Sequence, residues 1–335
     1  MRSVSPYPWQ QPLWQSAIER VRANRLPHAI LLAGPAGMGK RHFAKALAQA
    51  LLCSNPSSQG EACGTCRDCL LFQADSHPDW LALEPEEGKK GIGIAQIRSL
   101  IAFQSLTSQY GKRRVVVITP ADTIQQAAAN ALLKTLEEPA GDTVLLLVSD
   151  QPASLLATVR SRCQQWVFRP LSDLDSDSQQ WLCKELEAQG DDSQVWRALF
   201  QASGGAPLRT LALAREGGLA LRATVLEGLA SLNQGQGSAV ALAREWESQG
   251  LERLLPILYA LVADMIRLKL LPQSEQGLSH PSLRGNLQAL AEQVDLAFID
   301  ALLQHIQRRM GLLQGQVKGQ VILEDILLAW QQRRV

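Results

Sequence analysis

The chain has 335 residues, of which 46% are hydrophobic and 19% are charged, with 33 Lys and Arg against 32 Asp and Glu. This length predicts two or three domains, and the near-zero net charge excludes an overall positive field that would draw the chain alone onto nucleic acid. No apolar run approaches the roughly 20 residues of a membrane span, and the N-terminal segment lacks the apolar core of a signal peptide, so we expect a cytoplasmic protein without a membrane partner. The six cysteines are then expected to be thiols or metal ligands rather than disulfides.

A strand, a glycine-rich turn and a helix follow one another near the start of the chain. Residues 28–33 form an apolar run short enough for a buried strand, and residues 43–52 have helical spacing. Between them the chain matches the G-x-x-x-x-G-K pattern of a phosphate loop. In such a loop backbone N–H groups surround phosphate oxygens, the lysine reaches the outer phosphates, and the helix N-terminus adds its dipole. The candidate phosphate-binding residues are Gly34, Gly37, Gly39 and Lys40.

The side chains that would hold Mg²⁺ beside this loop are replaced. The hydroxyl expected after the lysine is replaced by Arg41, whose guanidinium accepts no hydrogen bond and cannot ligate a metal. The β-branched run 115–118, after which a phosphate-loop ATPase carries a metal-ordering acid, continues instead with Thr119 and Pro120. Asp122 could take the place of that acid only if the strand extended past Pro120. We therefore expect Asp122 to cap the following helix instead. Two independent losses predict a loop that hydrolyses no ATP and binds phosphate weakly or not at all.

Four cysteines follow the phosphate-loop helix. Cys63, Cys66 and Cys69 are separated by two residues each, and Cys53 lies upstream of them. Because each C-x-x-C turn brings two sulfurs toward one point, the spacing predicts a closed, structural Zn²⁺ site with four thiolate ligands. The sequence leaves open two alternatives, four unrelated buried thiols and a redox C-x-x-C pair.

Strands and helices then alternate in the manner of a parallel α/β sheet. Short apolar or β-branched runs predict further strands at residues 77–85, 115–118, 143–149 and 165–168. Helical spacing predicts helices over residues 12–25, 94–101 and 127–138. Arg162 precedes the last strand and, taken alone, would be interpreted as a surface charge. Its neighbours Ser161 and Cys163 are expected to be turn and packing residues, because no His or carboxylate at recognisable spacing accompanies them.

The strand signal ends near residue 170. Leucine and alanine recur at helical spacing over residues 251–271, 283–294, 298–313 and 321–330. Ordinary core burial explains these apolar stripes as well as subunit assembly does. The sequence therefore predicts an α/β part followed by an all-α part.

Taken in chain order, these motifs resemble the clamp-loader branch of the AAA+ ATPases. The resemblance rests on the phosphate loop, the cysteine insert, the stretch 129–139 and the Ser-Arg-Cys triplet at 161–163, and it extends over the length of the chain. It implies an AAA+ phosphate-loop core with a parallel sheet and a zinc module over residues 1–169. A small helical lid over 170–212 and a C-terminal helical collar for oligomerisation over 213–335 would follow.

The resemblance also implies a division of labour within a ring of subunits. The chain would be a non-hydrolysing stator of the clamp loader in the DNA polymerase III holoenzyme, a nucleotidyltransferase complex. Its partners would be the gamma/tau and delta subunits in a hetero-pentamer, and the assembly would place the sliding clamp on primed DNA. Arg162 occupies the family's arginine-finger position, which acts on the ATP of a neighbouring subunit.

One position in the predicted lid differs from the family pattern. The lid arginine that senses nucleotide in relatives is replaced by Leu208, and Arg209 follows one residue later. We therefore interpret Arg209 as a solvent-facing or interface charge.

The main alternative to a stator is an active ATPase motor of gamma/tau type, and it needs a Mg²⁺ ligand that the sequence does not offer. A self-standing DNA-binding zinc protein is disfavoured by the near-neutral charge.

Overall fold

The computed structural model of the chain describes residues 4–105, 113–190, 195–274, 277–311 and 319–333. The chain divides into two compact units, the first comprising Met1–Leu182 with Ala206–Arg209 and the second comprising Cys183–Gly205 with Thr210–Val335. The predicted partition into residues 1–169, 170–212 and 213–335 stays a prediction.

The first unit is an α/β domain built on one parallel sheet. Its described strands are β1 (Ala29–Ala33), β2 (Trp80–Leu83), β3 (Arg114–Ile118), β4 (Thr143–Ser149) and β5 (Gln164–Val167). Its described helices are α1 (Gln11–Arg22), α2 (Lys40–Leu52), α3 (Arg67–Gln73), α4 (Ile94–Ser105), α5 (Gln126–Glu137) and α6 (Ala157–Ser161). The sheet order is β2-β3-β4-β1-β5, and each neighbouring pair is parallel. The predicted parallel sheet is therefore confirmed.

The three central strands, β1, β3 and β4, are buried along their whole length because helices cover both faces of the sheet. Ile30 of β1 belongs to a buried cluster that includes Phe43 of α2. The next residue, Leu31, belongs to the cluster on the opposite face, which includes Leu132 of α5. Since all strands run in one direction, their carboxyl ends share one edge of the sheet, where a ligand site of an α/β domain is expected.

The described regular elements of the second unit are all helices. The helices after the sheet are α7 (Ser176–Ala188), α8 (Trp196–Ala202), α9 (Pro207–Arg215), α10 (Gly218–Asn233), α11 (Ala239–Glu247), α12 (Leu251–Leu270), α13 (Arg284–Glu292), α14 (Leu296–Met310) and α15 (Gly319–Gln332). Two of them, α7 and α9, begin in the first unit. The prediction for 298–313 matches α14 up to Met310, and Leu313 lies outside the described residues. Within the described ranges, none of the helices is both long enough and apolar enough to cross a bilayer.

A buried polar network links three parts of the second unit. Asp264 on α12 is fully buried and accepts hydrogen bonds from Nδ1 of His280 at 2.8 Å and from the backbone N–H groups of Ser279 and His280 at 3.0 and 2.9 Å. Nη1 of Arg267 donates to the same carboxylate at 2.7 Å. On the other side of the imidazole, Nε of Arg222 on α10 donates to Nε2 of His280 at 3.0 Å. The network thus satisfies a carboxylate that burial alone would destabilise.

Asp264→Ala is expected to lower the free energy of unfolding by about 3 kcal/mol, because several buried donors lose their acceptor together. Urea denaturation of the full chain measures the change. Asp300→Ala is the matched control, since Asp300 is exposed on α14 and its loss should change stability by less than about 0.5 kcal/mol. Equal effects of the two substitutions would contradict the assignment.

Candidate functional site

The phosphate loop joins β1 to α2 at the carboxyl edge of the sheet. Gly34, Gly37 and Gly39 have φ angles of +150°, +85° and +79°, which lie in the region that favours glycine. A Cβ atom on Gly34 would lie 2.1 Å from the carbonyl oxygen of Phe168, so only glycine fits there. Gly37 is equally constrained, since a Cβ would lie 2.8 Å from Cβ of Arg209.

Helix α9 begins directly on this loop. The backbone N–H of Leu208 donates to the carbonyl oxygen of Gly37 at 3.0 Å, and the side chain of Arg209 is exposed. The contact between loop and helix is therefore made by backbone, while the arginine faces solvent.

Lys40, the lysine of the motif, is held by the chain's own acceptors. Its Nζ donates to the carbonyl oxygens of Gly34 and Pro35, each at 2.6 Å, and pairs with Oδ1 of Asp150 at 2.5 Å. An ammonium group has three N–H donors, so these contacts account for all of them. The side chain is 2% exposed. A phosphate would have to displace at least one of these partners.

Sequence reasoning missed Asp150. A usable signal existed, because Asp150 directly follows the predicted strand 143–149, and the carboxyl end of that strand shares an edge with the phosphate loop. Nothing in the local pattern indicated that its carboxylate would reach Lys40.

The substituted metal positions have other partners. Arg41 forms an ion pair with Glu84, the residue that follows β2. The carboxylate of Asp122 accepts hydrogen bonds from the hydroxyl of Ser149 and from the backbone N–H of Asp150, the latter at 2.8 Å. Asp122 therefore binds the end of β4.

The expectation that Asp122 caps the following helix is wrong. Asp122 lies in a short 3-10 turn, Ala121–Thr123, between β3 and α5. Helix α5 begins later, at Gln126, with Gln125 as its N-cap. The physical reason is the sheet order, which brings the turn after β3 beside the end of β4.

The four predicted cysteines come together. The Sγ atoms of Cys53, Cys63, Cys66 and Cys69 all lie within 4.8 Å of one another. The Sγ atom of Cys53 lies 3.6 Å from that of Cys63 and 3.9 Å from that of Cys66, and the Sγ atoms of Cys63 and Cys69 are 3.9 Å apart. A tetrahedral zinc ion with Zn–S bonds of about 2.3 Å separates its sulfurs by about 3.8 Å. The donor set and its spacing therefore fit a metal ion and are consistent with zinc.

The four thiols of this cluster differ in pKa, since the pKa values of Cys63 and Cys66 are lowered and those of Cys53 and Cys69 are raised. Hydrogen bonds from the backbone N–H groups of Thr65 and Cys66 lower the pKa of Cys63 to about 6. Burial raises the pKa of Cys53, which is the C-cap of α2. Because Cys53 ends the helix that begins at the phosphate loop, the cluster is tied to the core at that helix.

Arg162 lies just after α6 and is held on two sides. Its Nε donates to Oε1 of Glu137 at 2.5 Å, its Nη2 is ion-paired with the same oxygen, and its Nη1 donates to the carbonyl oxygen of Thr158 at 3.0 Å. Ser161 also donates to Thr158, at 3.1 Å, and burial raises the pKa of the Cys163 thiol to about 12. These neighbours behave as turn and packing residues.

The phosphate loop and Arg162 lie at opposite edges of the sheet. Gln164 of β5 pairs in parallel with Ile30 of β1, so Arg162 lies before the start of these strands, whereas the loop follows their end. Strand β1 spans five residues, which corresponds to about 15 Å at ~3.3 Å per residue. Arg162 therefore lies on the far side of the sheet from the chain's own loop.

Comparison with known proteins decides the family. A family model described as "DNA polymerase III, delta subunit" matches residues 9–172, and one described as "DNA polymerase III, delta subunit, C terminal" matches residues 216–332. The DNA polymerase III subunit delta' of Pseudomonas aeruginosa is 40% identical over 97% of this chain and 97% of its own. The chain belongs to the family of DNA polymerase III delta' subunits. The resemblance to a subunit of DNA polymerase III is thereby confirmed.

Two further matches complete the comparison. The delta' subunit of Escherichia coli is 40% identical over 49% of this chain and 49% of its own. Among solved structures, a gamma subunit-related protein of DNA polymerase III from Thermotoga maritima is 18% identical, with 97% of this chain and 99% of that chain covered and a TM-score of 0.40. The sheet and the phosphate loop lie within the residues that match the first family model, and helices α10 to α15 lie within those that match the second.

Asp150→Asn is expected to tighten nucleotide binding by the isolated chain about fivefold, because a partly exposed ion pair to Lys40, worth about 1 kcal/mol, no longer competes with phosphate. Titration with a fluorescent ADP analogue measures the affinity. Asp142→Asn provides a control, since Asp142 pairs with Arg113 at 3.0 Å. An unchanged or weakened affinity in Asp150→Asn would contradict the competition.

Proposed function

We propose that this chain is the non-hydrolysing stator of a bacterial clamp loader and that Arg162 completes the ATP site of a neighbouring subunit. The observation that carries the proposal is the position of Arg162 at the sheet edge opposite to the chain's own phosphate loop. A guanidinium so placed cannot serve that loop. It is accessible to another chain, since 34% of its side chain is exposed.

Three contacts at the phosphate loop support the non-hydrolysing part. Arg41 stands where a metal-binding hydroxyl is needed and is paired with Glu84. Lys40 is saturated by two loop carbonyls and Asp150. Asp122, the acid nearest to the expected metal carboxylate in the sequence, binds the end of β4. ATP hydrolysis in phosphate-loop enzymes depends on Mg²⁺ held by the positions that are changed here, so we expect no intrinsic ATPase activity.

The proposed partners are the gamma/tau and delta subunits in a hetero-pentamer. In this arrangement gamma/tau consumes ATP, and the assembly places the sliding clamp on primed DNA. Residues 1–169 would be the AAA+ core, 170–212 the lid and 213–335 the collar that joins the subunits. The isolated chain, with a net charge of +1, is expected to bind DNA weakly by itself.

The cysteine cluster is proposed to hold a structural Zn²⁺. Its ligands would be Cys53, Cys63, Cys66 and Cys69. Four protein thiolates would fill the coordination sphere, so the ion would stabilise the insert after α2 and would not activate water.

ATP turnover of the isolated chain, of gamma/tau with delta, and of the complete assembly tests the proposal. The isolated chain is expected to show no turnover above background, and adding it to gamma/tau and delta should raise turnover in the presence of the sliding clamp and primed DNA. Hydrolysis by the isolated chain would overturn the stator assignment. Equal turnover with and without the chain would overturn its contribution to a neighbour's site.

A further inference from the structure

Three of the five N–H groups of the Arg162 guanidinium have acceptors within the chain. Of its five N–H groups, the one on Nε and one on Nη2 face Oε1 of Glu137, and one on Nη1 donates to Thr158. In the described structure this leaves one N–H on each terminal nitrogen for another acceptor. N–H groups on the terminal nitrogens of a guanidinium are suited to binding phosphate oxygens.

We propose that Glu137 is a positioning residue that presents the terminal fork of Arg162 to the phosphates of the neighbouring subunit's ATP. This inference rests on the proposed function of Arg162 and adds a second residue to it. Glu137 contacts Nε and Nη2 of the guanidinium. It therefore leaves the remaining N–H groups of the terminal nitrogens to the nucleotide.

The dipole of helix α5 does not favour a carboxylate at the position of Glu137. Glu137 is the last residue of α5, and a carboxylate at a helix C-terminus is disfavoured by the negative end of the helix dipole. The positive charge of Arg162 compensates for this position. Arg162 in turn shares the carbonyl oxygen of Thr158 on α6 with the hydroxyl of Ser161, so the guanidinium is held from a second side.

The end of α5 is itself anchored. The carbonyl oxygen of Leu136 accepts a hydrogen bond from Nε2 of His28 at 2.8 Å, and the Leu136 side chain is buried. His28 directly precedes β1, so the backbone beside Glu137 is held by a contact at the amino-terminal edge of the sheet. A side chain fixed by a rigid element positions its partner better than one on a loose segment.

The ion pair contributes little to stability. The side chain of Glu137 is 49% exposed and that of Arg162 is 34% exposed, and pairs of this kind contribute about 0–1 kcal/mol. Its main consequence is orientation, since a long arginine side chain held in one geometry loses less freedom when it meets a phosphate. Substitution of Glu137 should therefore change turnover without unfolding the chain.

The experiment uses the complete assembly, reconstituted with the wild-type chain or with Glu137→Ala, Glu137→Gln, Arg162→Ala or the double variant Glu137→Ala/Arg162→Ala. Steady-state ATP turnover with clamp and primed DNA gives kcat and KM, and gel filtration verifies assembly. Glu138→Gln is the matched control, because Glu138 is the exposed carboxylate next in the chain.

Glu137→Ala is expected to lower kcat roughly five- to tenfold with KM for ATP changed less than about twofold. Glu137→Gln keeps an oxygen acceptor and should recover most of the loss, and Glu138→Gln should match wild type. In the Arg162→Ala background, removal of Glu137 should cause no further loss, because it acts through the arginine.

Four results would overturn the inference while the arginine-finger proposal survives. These are normal turnover of Glu137→Ala beside a defective Arg162→Ala, failure of Glu137→Gln to recover activity, a further loss in the double variant, and a rise in turnover of Glu137→Ala, which would mean that the carboxylate restrains the arginine. Normal turnover of Arg162→Ala would instead overturn the proposed function itself.

Discussion

Arg162→Ala is expected to lower the ATP turnover of the complete assembly by roughly tenfold or more, since an arginine finger is worth about 10³–10⁵ in kcat at the site it serves. The assembly-level loss is smaller than the single-site value, because the arginine serves one site among several. The effect is on charge stabilisation in the transition state, so KM for ATP should change much less than kcat. Steady-state turnover with clamp and primed DNA measures both.

Two variants make this result specific. Arg162→Lys keeps the charge but loses the planar fork and the contact through Nε, and it should recover little of the activity. Arg160→Ala is the control, because Arg160 lies on the same short helix and its Nη1 donates to the carbonyl of Pro152 at 3.3 Å. A loss of assembly in Arg162→Ala, or equal losses in both alanine variants, would assign the arginine to packing between subunits.

The fold was predictable because its signals are local. The apolar run 143–149 was predicted as a strand and corresponds to β4 with the same bounds, and the strand predicted at 115–118 corresponds to β3. A strand covered on both faces shows itself as a continuous apolar run. The cysteine cluster was equally predictable, because the C-x-x-C spacing indicates which sulfurs lie close to one point.

The polar partners at the site were not predictable, since they join residues far apart in sequence. The contact of Lys40 with Asp150, and that of Glu137 with Arg162, both depend on the order of the strands. Asp122 shows the same limitation. A nearby helix start suggested a cap, whereas the neighbouring strand end supplied stronger donors.

Arg162 illustrates a different limit. Its identity as a candidate came from the resemblance to a family, and nothing in its local spacing separates it from a surface charge. The structure adds the argument that spacing lacks, because it locates Arg162 and the phosphate loop at opposite edges of one parallel sheet. Topology combined with exposure therefore supports the proposal that Arg162 serves another subunit.

Cys63→Ser is expected to abolish zinc binding and to lower the free energy of unfolding of the first unit by about 5 kcal/mol or more, because structural zinc in small domains contributes about 10–16 kcal/mol of binding energy that is coupled to folding. Cys63 is central to this site, since its Sγ lies 3.6 Å from that of Cys53 and 3.9 Å from that of Cys69. A hydroxyl in its place binds zinc far less well than a thiolate. Elemental analysis of the purified chain and denaturation with and without a chelator measure the two effects.

Cys183→Ser is the matched control for the metal prediction, because Cys183 lies on α7 outside the cluster. It should retain an equimolar amount of zinc and wild-type stability. Zinc retained by Cys63→Ser, or a wild-type chain whose stability does not change with the chelator, would contradict a structural ion.

Loss of the zinc ion should also affect the structure beyond the insert, because Cys53 caps the helix that starts at Lys40. Loss of the ion should therefore loosen the end of α2, whereas the contacts of Arg162 with Glu137 and Thr158 do not involve the cluster and should remain. Retained turnover by an assembly that contains a zinc-free chain would show that the metal and the arginine act independently.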